Sequence, residues 1–428
     1  MANRILDPRS SLFPIESSLG RWERLAIAVW TTILLVIAVR CLIAPRVNSV
    51  YPIFTSAARH WLAGADVYPV VANPYRYSPL VTTLLVPFGL LPDRLAEVVW
   101  RVLNAAVYLV ALSAWSKVVL PHRLTRCQQA WLFLLVVPMS VGSLNNGQSN
   151  PLVLGLLLTG IAGVARERWN GAAACIALAS LFKVYPIAVG LLLAAVYPRR
   201  FAGRLLVAIG IGLALPFVLQ RPAYVWAQYQ GWWQQLQHAD RNDLPLDQWY
   251  RDLRLLCQLC RVPLSQHVYA AIQVTAAAGF AAICLAGRWA GWPSRRLLTT
   301  LTGLGCCWMT LLGPTTESCT YIFLAPTLAW KVLESWLYHR WPVRITFLAS
   351  YGLFTVSNAA VWFPAGRQLH TLGIQPLAAL LLLICLLVTE LHPWRVAGGM
   401  WRVQGRKEDQ SSRSRLQPVP VTLNTGSA

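Results

Sequence analysis

The sequence predicts an all-α, polytopic membrane protein. Of its 428 residues 56% are hydrophobic and only 12% are charged, and the mean hydropathy is +0.49. Apolar runs recur along the chain, many close to the ~20 residues that a bilayer core demands. When those runs are counted as alternating crossings, nearly every short basic loop falls on one side. A chain this apolar cannot hide its hydrophobic groups in one soluble core. The formal charge of +21 raises nucleic acid as a partner. The arginines, however, stand singly or in pairs between apolar runs instead of along one solvated face, so no nucleic-acid partner is expected.

Three regions follow: a cytoplasmic N-terminal segment 1–24, a transmembrane domain 25–392, and a basic, Ser-rich, disordered cytoplasmic tail 393–428. The first segment stays polar too long for a cleavable signal, and the apolar run after it lacks a small-residue cleavage site. Arg4, Arg9, Arg21 and Arg24 precede the first span, 25–44, and place the N-terminus inside. The stretch 45–92 therefore emerges on the far side. In it 51–63 reads as a helix, and 80–91, too short to cross and carrying Pro87 and Gly89, reads as interfacial or re-entrant.

Span two, 95–120, returns to the basic turn with Arg123 and Arg126. Span three, 129–144, goes out to the sequence NNGQSN at 145–150, and span four, 151–165, comes back to Arg166 and Arg168. The run 171–197 must keep both basic ends inside, so it reads as two short helices, spans five and six, meeting at Lys183. Span seven is 205–219. It opens into the outer loop 220–266, whose LRLLCQLCR segment has amphipathic leucine spacing. Spans eight to twelve are 267–287, 297–313, 321–337, 345–363 and 376–391, giving about twelve spans with both ends inside.

Of the ten cysteines, Cys41, Cys175, Cys284, Cys306, Cys307 and Cys385 sit in apolar runs and read as small buried hydrophobes. Cys257 and Cys260 form a lone Cys-x-x-Cys without a second pair or a histidine couple, so no metal site and no cofactor are expected. Nor is there a phosphate loop of the Gly-x-x-x-x-Gly-Lys-Ser kind.

The polar residues with chemical potential gather on the expected outer face. Asp66 follows Gly64, where it either acts as a base or turns the chain. Glu317, in PTTESCT, is the second carboxylate candidate. The loop acids Asp240, Asp243, Asp247 and Asp252 have arginines nearby and read as surface charge. Lys183, among Leu181, Phe182 and Val184, needs either a partner such as a lipid phosphate or a route by which it snorkels to headgroups. Arg76, between Tyr75 and Tyr77, can hold a phosphate bidentately or stack on its neighbours, and Arg254 is a further cation of the outer loop. Asn146, Gln148 and Asn150 offer the paired donors and acceptors that sugar hydroxyls need, although capping accounts for at least one of them. Tyr77, His60 and Trp233 complete the sugar-binding and acceptor-binding candidates; Trp226, Trp232 and Trp233 can stack on a sugar or anchor at the interface.

The segments AARHWLAGADVY and YRYSPL within 57–80, NNGQSNPL at 145–152, LFKVYP at 181–186 and the Trp-rich and Arg-rich loop near 226–261 together resemble glycosyltransferase family 87 of the GT-C class. The resemblance spans roughly residues 20–390. It implies transfer of one sugar, often mannose, from a polyprenyl-phosphate carrier to a lipid or glycan acceptor on the outer face of the inner membrane. It further implies inversion at the anomeric carbon and no obligatory metal. In that class a first-loop aspartate usually serves as base, about thirteen to fifteen residues before the Gly-x-Asp-x-Tyr element. This chain has Asn48, Ser49 and Val50 there. The absent acid leaves a second class open: a transporter or flippase of lipid-linked sugars, or a non-catalytic binding homologue.

Overall fold

A computed structural model describes residues 19–44, 49–69, 74–237, 241, 245–338, 341–360 and 372–391. The expected tail 393–428, most of the N-terminal segment, Asn48, Asn73, Asp240 and Asp243 lie outside the described residues. All regular structure among them is helical.

The first apolar run forms α1 (Arg21–Ile43). The stretch expected on the outer face forms α2 (Tyr51–Ala63), started by Pro52 in its first turn and stopped by Gly64 at φ 66°. A left-handed stop of this kind favours glycine because any Cβ would crowd the backbone. The short apolar piece is α3 (Pro79–Gly89), helical despite Pro87. Next come α4 (Asp93–Val118), α5 (Arg126–Leu135), α6 (Val137–Asn146) and α7 (Asn150–Ala165). Span three, read as one continuous run 129–144, is instead the pair α5 and α6, bent by 49°. Pro138, in the first turn of α6, withholds a backbone donor and crowds the preceding turn. Thr125 opens α5 with a capping box, its hydroxyl accepting from Gln128 N.

The expected break at Lys183 separates α8 (Trp169–Phe182) from α9 (Ile187–Val196). Lys183 itself is extended, at φ −143° and ψ 135°. Pro186, restricting Tyr185 before it, accounts for the failure of the helix to continue. A π-turn, Pro198–Ala202, leads into α10 (Gly203–Leu219). The loop after it, expected on the outer face, contains α11 (Pro222–Gln237) and α12 (Leu253–Leu259). Then follow α13 (Gln266–Trp289), α14 (Ser294–Cys307), a 3-10 segment Ser318–Leu324, α15 (Ala325–Tyr338), α16 (Trp341–Ala360) and α17 (Ile374–Leu391).

Five helical segments, Arg21–Ile43, Asp93–Val118, Pro198–Leu219, Gln266–Trp289 and Ile374–Leu391, are long and apolar enough to cross a bilayer, and a sixth crossing results if the bent pair is one span. The other expected crossings correspond to shorter or less apolar helices, among them α7, α8 and α9. The chain is thus a polytopic helical membrane protein. In its core α4 packs on α7 so closely that a Cβ on Gly155 would stand 2.9 Å from the Val107 carbonyl oxygen. Without a hydrophobic drive between helices in lipid, small residues at such crossings allow the close contact that holds the helices together.

Candidate active site

The turn between α6 and α7 builds one wall. Gly147, at φ 74°, reverses the chain after Asn146, with Gly147 N bonding Leu144 O and Gln148 N bonding Ser143 O. The following residues then point into the protein: Gln148, Ser149 and Asn150 are all buried. Gln148 Nε2 donates to Glu317 Oε2 at 3.1 Å. The other carboxylate oxygen faces Arg241, 3.3 Å from its guanidinium. Glu317 is 41% exposed and Arg241 30%, so this ion pair contributes at most about 1 kcal/mol and can open when a ligand arrives.

A cation lies beside this carboxylate. Lys183 Nζ donates to Asn150 Oδ1 at 2.6 Å, while Asn150 Nδ2 donates to Cys319 O at 2.9 Å. Asn150 thereby spends both ends of its amide inside the protein and fixes the lysine. The ammonium also sits 5.9 Å from the centre of the Tyr77 ring and 5.8 Å from that of Tyr185, which is cation–π range. Among the described residues no carboxylate is within ion-pair distance of it. Tyr77 joins the two halves, because its hydroxyl is 3.3 Å from Ser149 Oγ.

Arg76 approaches from the loop before α3. Its guanidinium donates to Tyr250 OH at 2.7 Å, and Arg241 stacks over the Tyr250 ring at 4.6 Å. Trp232 Nε1 donates to Arg76 O at 3.1 Å. The structure therefore gathers Glu317, Gln148, Asn150, Lys183, Tyr77 and Arg76 of the expected residues. It adds Arg241, Ser149 and Tyr250, which the reading of candidate residues passed over, and it gives Trp232, read as a stacking or anchoring residue, a contact with the Arg76 backbone. Trp232 and Trp233 are neighbours on α11 and point about 100° apart, as helix geometry requires; Trp233 is 61% exposed, and Trp232 supports the Arg76 backbone.

Other expected residues sit elsewhere. Asp66 is exposed and its carboxylate accepts from Tyr68 N at 2.9 Å, which is a turn contact. His60 Nδ1 donates to Asp66 O at 2.7 Å. Asn146 ends α6 with its carbonyl accepting from Val50 N. Arg254 lies near Asp252, which caps α12 through Leu255 N. Burial raises the Asp252 carboxyl to about 6, against the lowering effect of the Leu255 amide and the Arg254 charge. Among the described residues no group of three or more His, Cys, Asp or Glu gathers as a metal site.

Beneath the turn runs a buried ion pair, Arg101 to Glu97 at 2.9 Å, with both side chains at most 3% exposed. Ser49 Oγ donates to Glu97 Oε1 at 2.7 Å. Arg101 also donates to Leu144 O and Asn145 O, each at 3.1 Å, and Trp100 Nε1 donates to Gly147 O at 2.9 Å. These bonds satisfy carbonyls at the C-terminal end of α6, where a cation also meets the helix dipole favourably. They hold the backbone from which Gln148 reaches Glu317.

No curated protein matches the chain. The model of glycosyltransferase family 87 matches residues 75–314, more than half of the chain, and this stretch includes Arg76, the α6–α7 turn, Lys183 and Arg241. The polytopic helical bundle and the match together identify the chain as a membrane glycosyltransferase belonging to glycosyltransferase family 87.

Proposed function

We propose that the protein transfers a hexose, with mannose the first candidate, from a polyprenyl-phosphate carrier to a lipid or glycan acceptor on the extracytoplasmic face of the inner membrane. The observation that carries this reading is one carboxylate, Glu317, set beside Lys183, Arg76 and Arg241 around a shared Tyr77 and Tyr250. Displacement at an anomeric carbon needs both kinds of group. Glu317 takes the proton from an acceptor hydroxyl, that oxygen bonds the anomeric carbon, and the carbon–oxygen bond to phosphate breaks. The bonding pair leaves with the carrier phosphate, and the cations stabilise its growing charge.

Glu317 is favoured over Asp66 because Asp66 is exposed and its carboxylate is engaged in a turn contact with Tyr68 N. Lys183 suits a phosphate because a half-buried ammonium held by an amide and two rings gains from an anion.

The test uses purified protein, labelled polyprenyl-phosphomannose and a mixed lipid and glycan acceptor. Free polyprenyl phosphate is released by the parent protein, and Glu317→Gln slows release ~10² to 10⁴-fold, the usual weight of general base catalysis. Full turnover in Glu317→Gln overturns the assignment. Carrier binding without release supports the non-catalytic homologue instead, the reading favoured by Ser49 standing where the family resemblance leads one to expect an acid.

A further inference from the structure

A basic patch that sugar transfer leaves unused lies where α8 begins and α9 ends. Lys183 marks the far end of α8, whose 14 residues span ~20 Å, so the patch stands well away from the Glu317 centre. Arg166 and Arg168 precede α8, Arg199 and Arg200 lie in the π-turn, Arg204 opens α10 and Arg288 falls in the last turn of α13. All six are exposed. Glu167 is the one acidic residue in the stretch 165–204. It stands 3.5 Å from Arg200 with the two side chains 73% and 61% exposed, so it offsets little of this charge.

Packing joins these arginines into one surface. The rings of Trp169 and Tyr197 meet with centres 5.3 Å apart, Arg200 sits 5.7 Å from the Trp169 ring and Arg288 5.0 Å from the Tyr197 ring. An aromatic pair thus holds a guanidinium at each end. Arg204 donates from Nε to Asn170 Oδ1 at 2.8 Å and from Nη1 to Arg200 O at 2.6 Å, and Arg288 donates to Val196 O. Guanidinium groups restrained in this way lose less entropy when an anion binds. The side chains of Arg166, Arg168 and Arg199 have no partner among the described residues.

The patch borders surface that faces lipid. The spans that include Arg204 and Arg288, Pro198–Leu219 and Gln266–Trp289, bury only 11% and 17% of their apolar stretch inside the protein. Beside the two arginines, Leu206 is 71% exposed and Trp289 80%. A phosphate dissolved in water would use the cations and give Leu206 and Trp289 nothing to meet. A phospholipid uses both, its acyl chains against the apolar faces and its phosphate against the guanidinium groups.

From this arrangement we propose a binding surface for anionic phospholipid headgroups at the end of α8 and α9 remote from Lys183. It depends neither on the sugar donor nor on Glu317. Full-length protein in detergent micelles is titrated with phosphatidylglycerol or phosphatidylcholine, and native mass spectrometry reads the affinity for the first lipid bound. Each arginine engaged is worth about fivefold, so two give phosphatidylglycerol a preference of about 25-fold. Changing Arg200, Arg204 and Arg288 together to Gln abolishes the preference. Changing Arg166, Arg168 and Arg199 to Gln, whose side chains support nothing in the fold, lowers it at least about fivefold and decides the matter if the first variant does not fold. Changing the exposed Arg94, Arg123 and Arg221 of three other segments to Gln leaves it unchanged. Equal affinity for the two lipids, a preference that survives in the Arg166, Arg168 and Arg199 variant, or an equal loss in the Arg94, Arg123 and Arg221 variant each overturns the proposal. So does displacement of the lipid by inorganic phosphate, which marks a site for a soluble anion.

Discussion

Arg101→Met tests how far the buried ion pair governs the site above it. The methionine fills similar volume but leaves Glu97, at most 3% exposed, charged and without its guanidinium. Breaking a buried pair from one side costs ~3–5 kcal/mol. The lower figure fits this site. Leu144 O still accepts from Gly147 N, Asn145 O still accepts from Arg40, and Ser49 still donates to Glu97. Most of the loss is therefore the stranded carboxylate. Adding Glu97→Gln removes that charge, so the double variant recovers about 2 kcal/mol relative to Arg101→Met, a coupling typical of residues in direct contact. Equilibrium unfolding in mixed micelles, run as a double-mutant cycle, measures it. Sugar transfer in parallel shows whether Gln148 has lost its place, with kcat falling more than carrier affinity. Additivity within about 0.5 kcal/mol refutes the reasoning.

Three further outcomes are expected. Gly147→Ala forces a Cβ to within 3.0 Å of the Arg101 guanidinium at φ 74°; the left-handed conformation alone costs ~1–2 kcal/mol, so the unfolding midpoint and the transfer rate both fall. Asp252, held near 6 by burial above its ordinary value of about 3.9, favours its neutral form in the fold. That contribution is present below about pH 4 and is lost as pH rises through about 6, so melting curves over this window show a decline that Asp252→Asn removes. Thiol labelling of intact cells reads topology from two exposed native cysteines: Cys260 in the outer loop reacts with an impermeant reagent and Cys127 does not, and the reverse pattern inverts the proposed orientation.

Helix content was legible in the sequence because membrane insertion imposes long apolar runs and because breakers act locally. Gly64 stops α2, Pro186 separates α8 from α9 at Lys183, and Ser265 caps α13 through Val268 N. Lys183 announced itself for the same reason, since a lysine in an apolar run demands an explanation. The bend between α5 and α6 was less visible, because Pro138 sits inside a run whose hydropathy never falters.

The sequence by itself thus determined a helical membrane protein and the family resemblance, both properties of composition and short-range order. Tertiary structure alone decided which polar residues meet. Glu317 is brought to Gln148 across 169 positions, and Arg76 to Tyr250 across 174. The Asp66 carboxylate, so prominent in the chain, accepts from a backbone amide two residues away. The physical reason is that an isolated side chain carries no sign of its distant partner. Pairing depends on where packed helices and a single left-handed glycine point the backbone, and local pattern does not encode that direction.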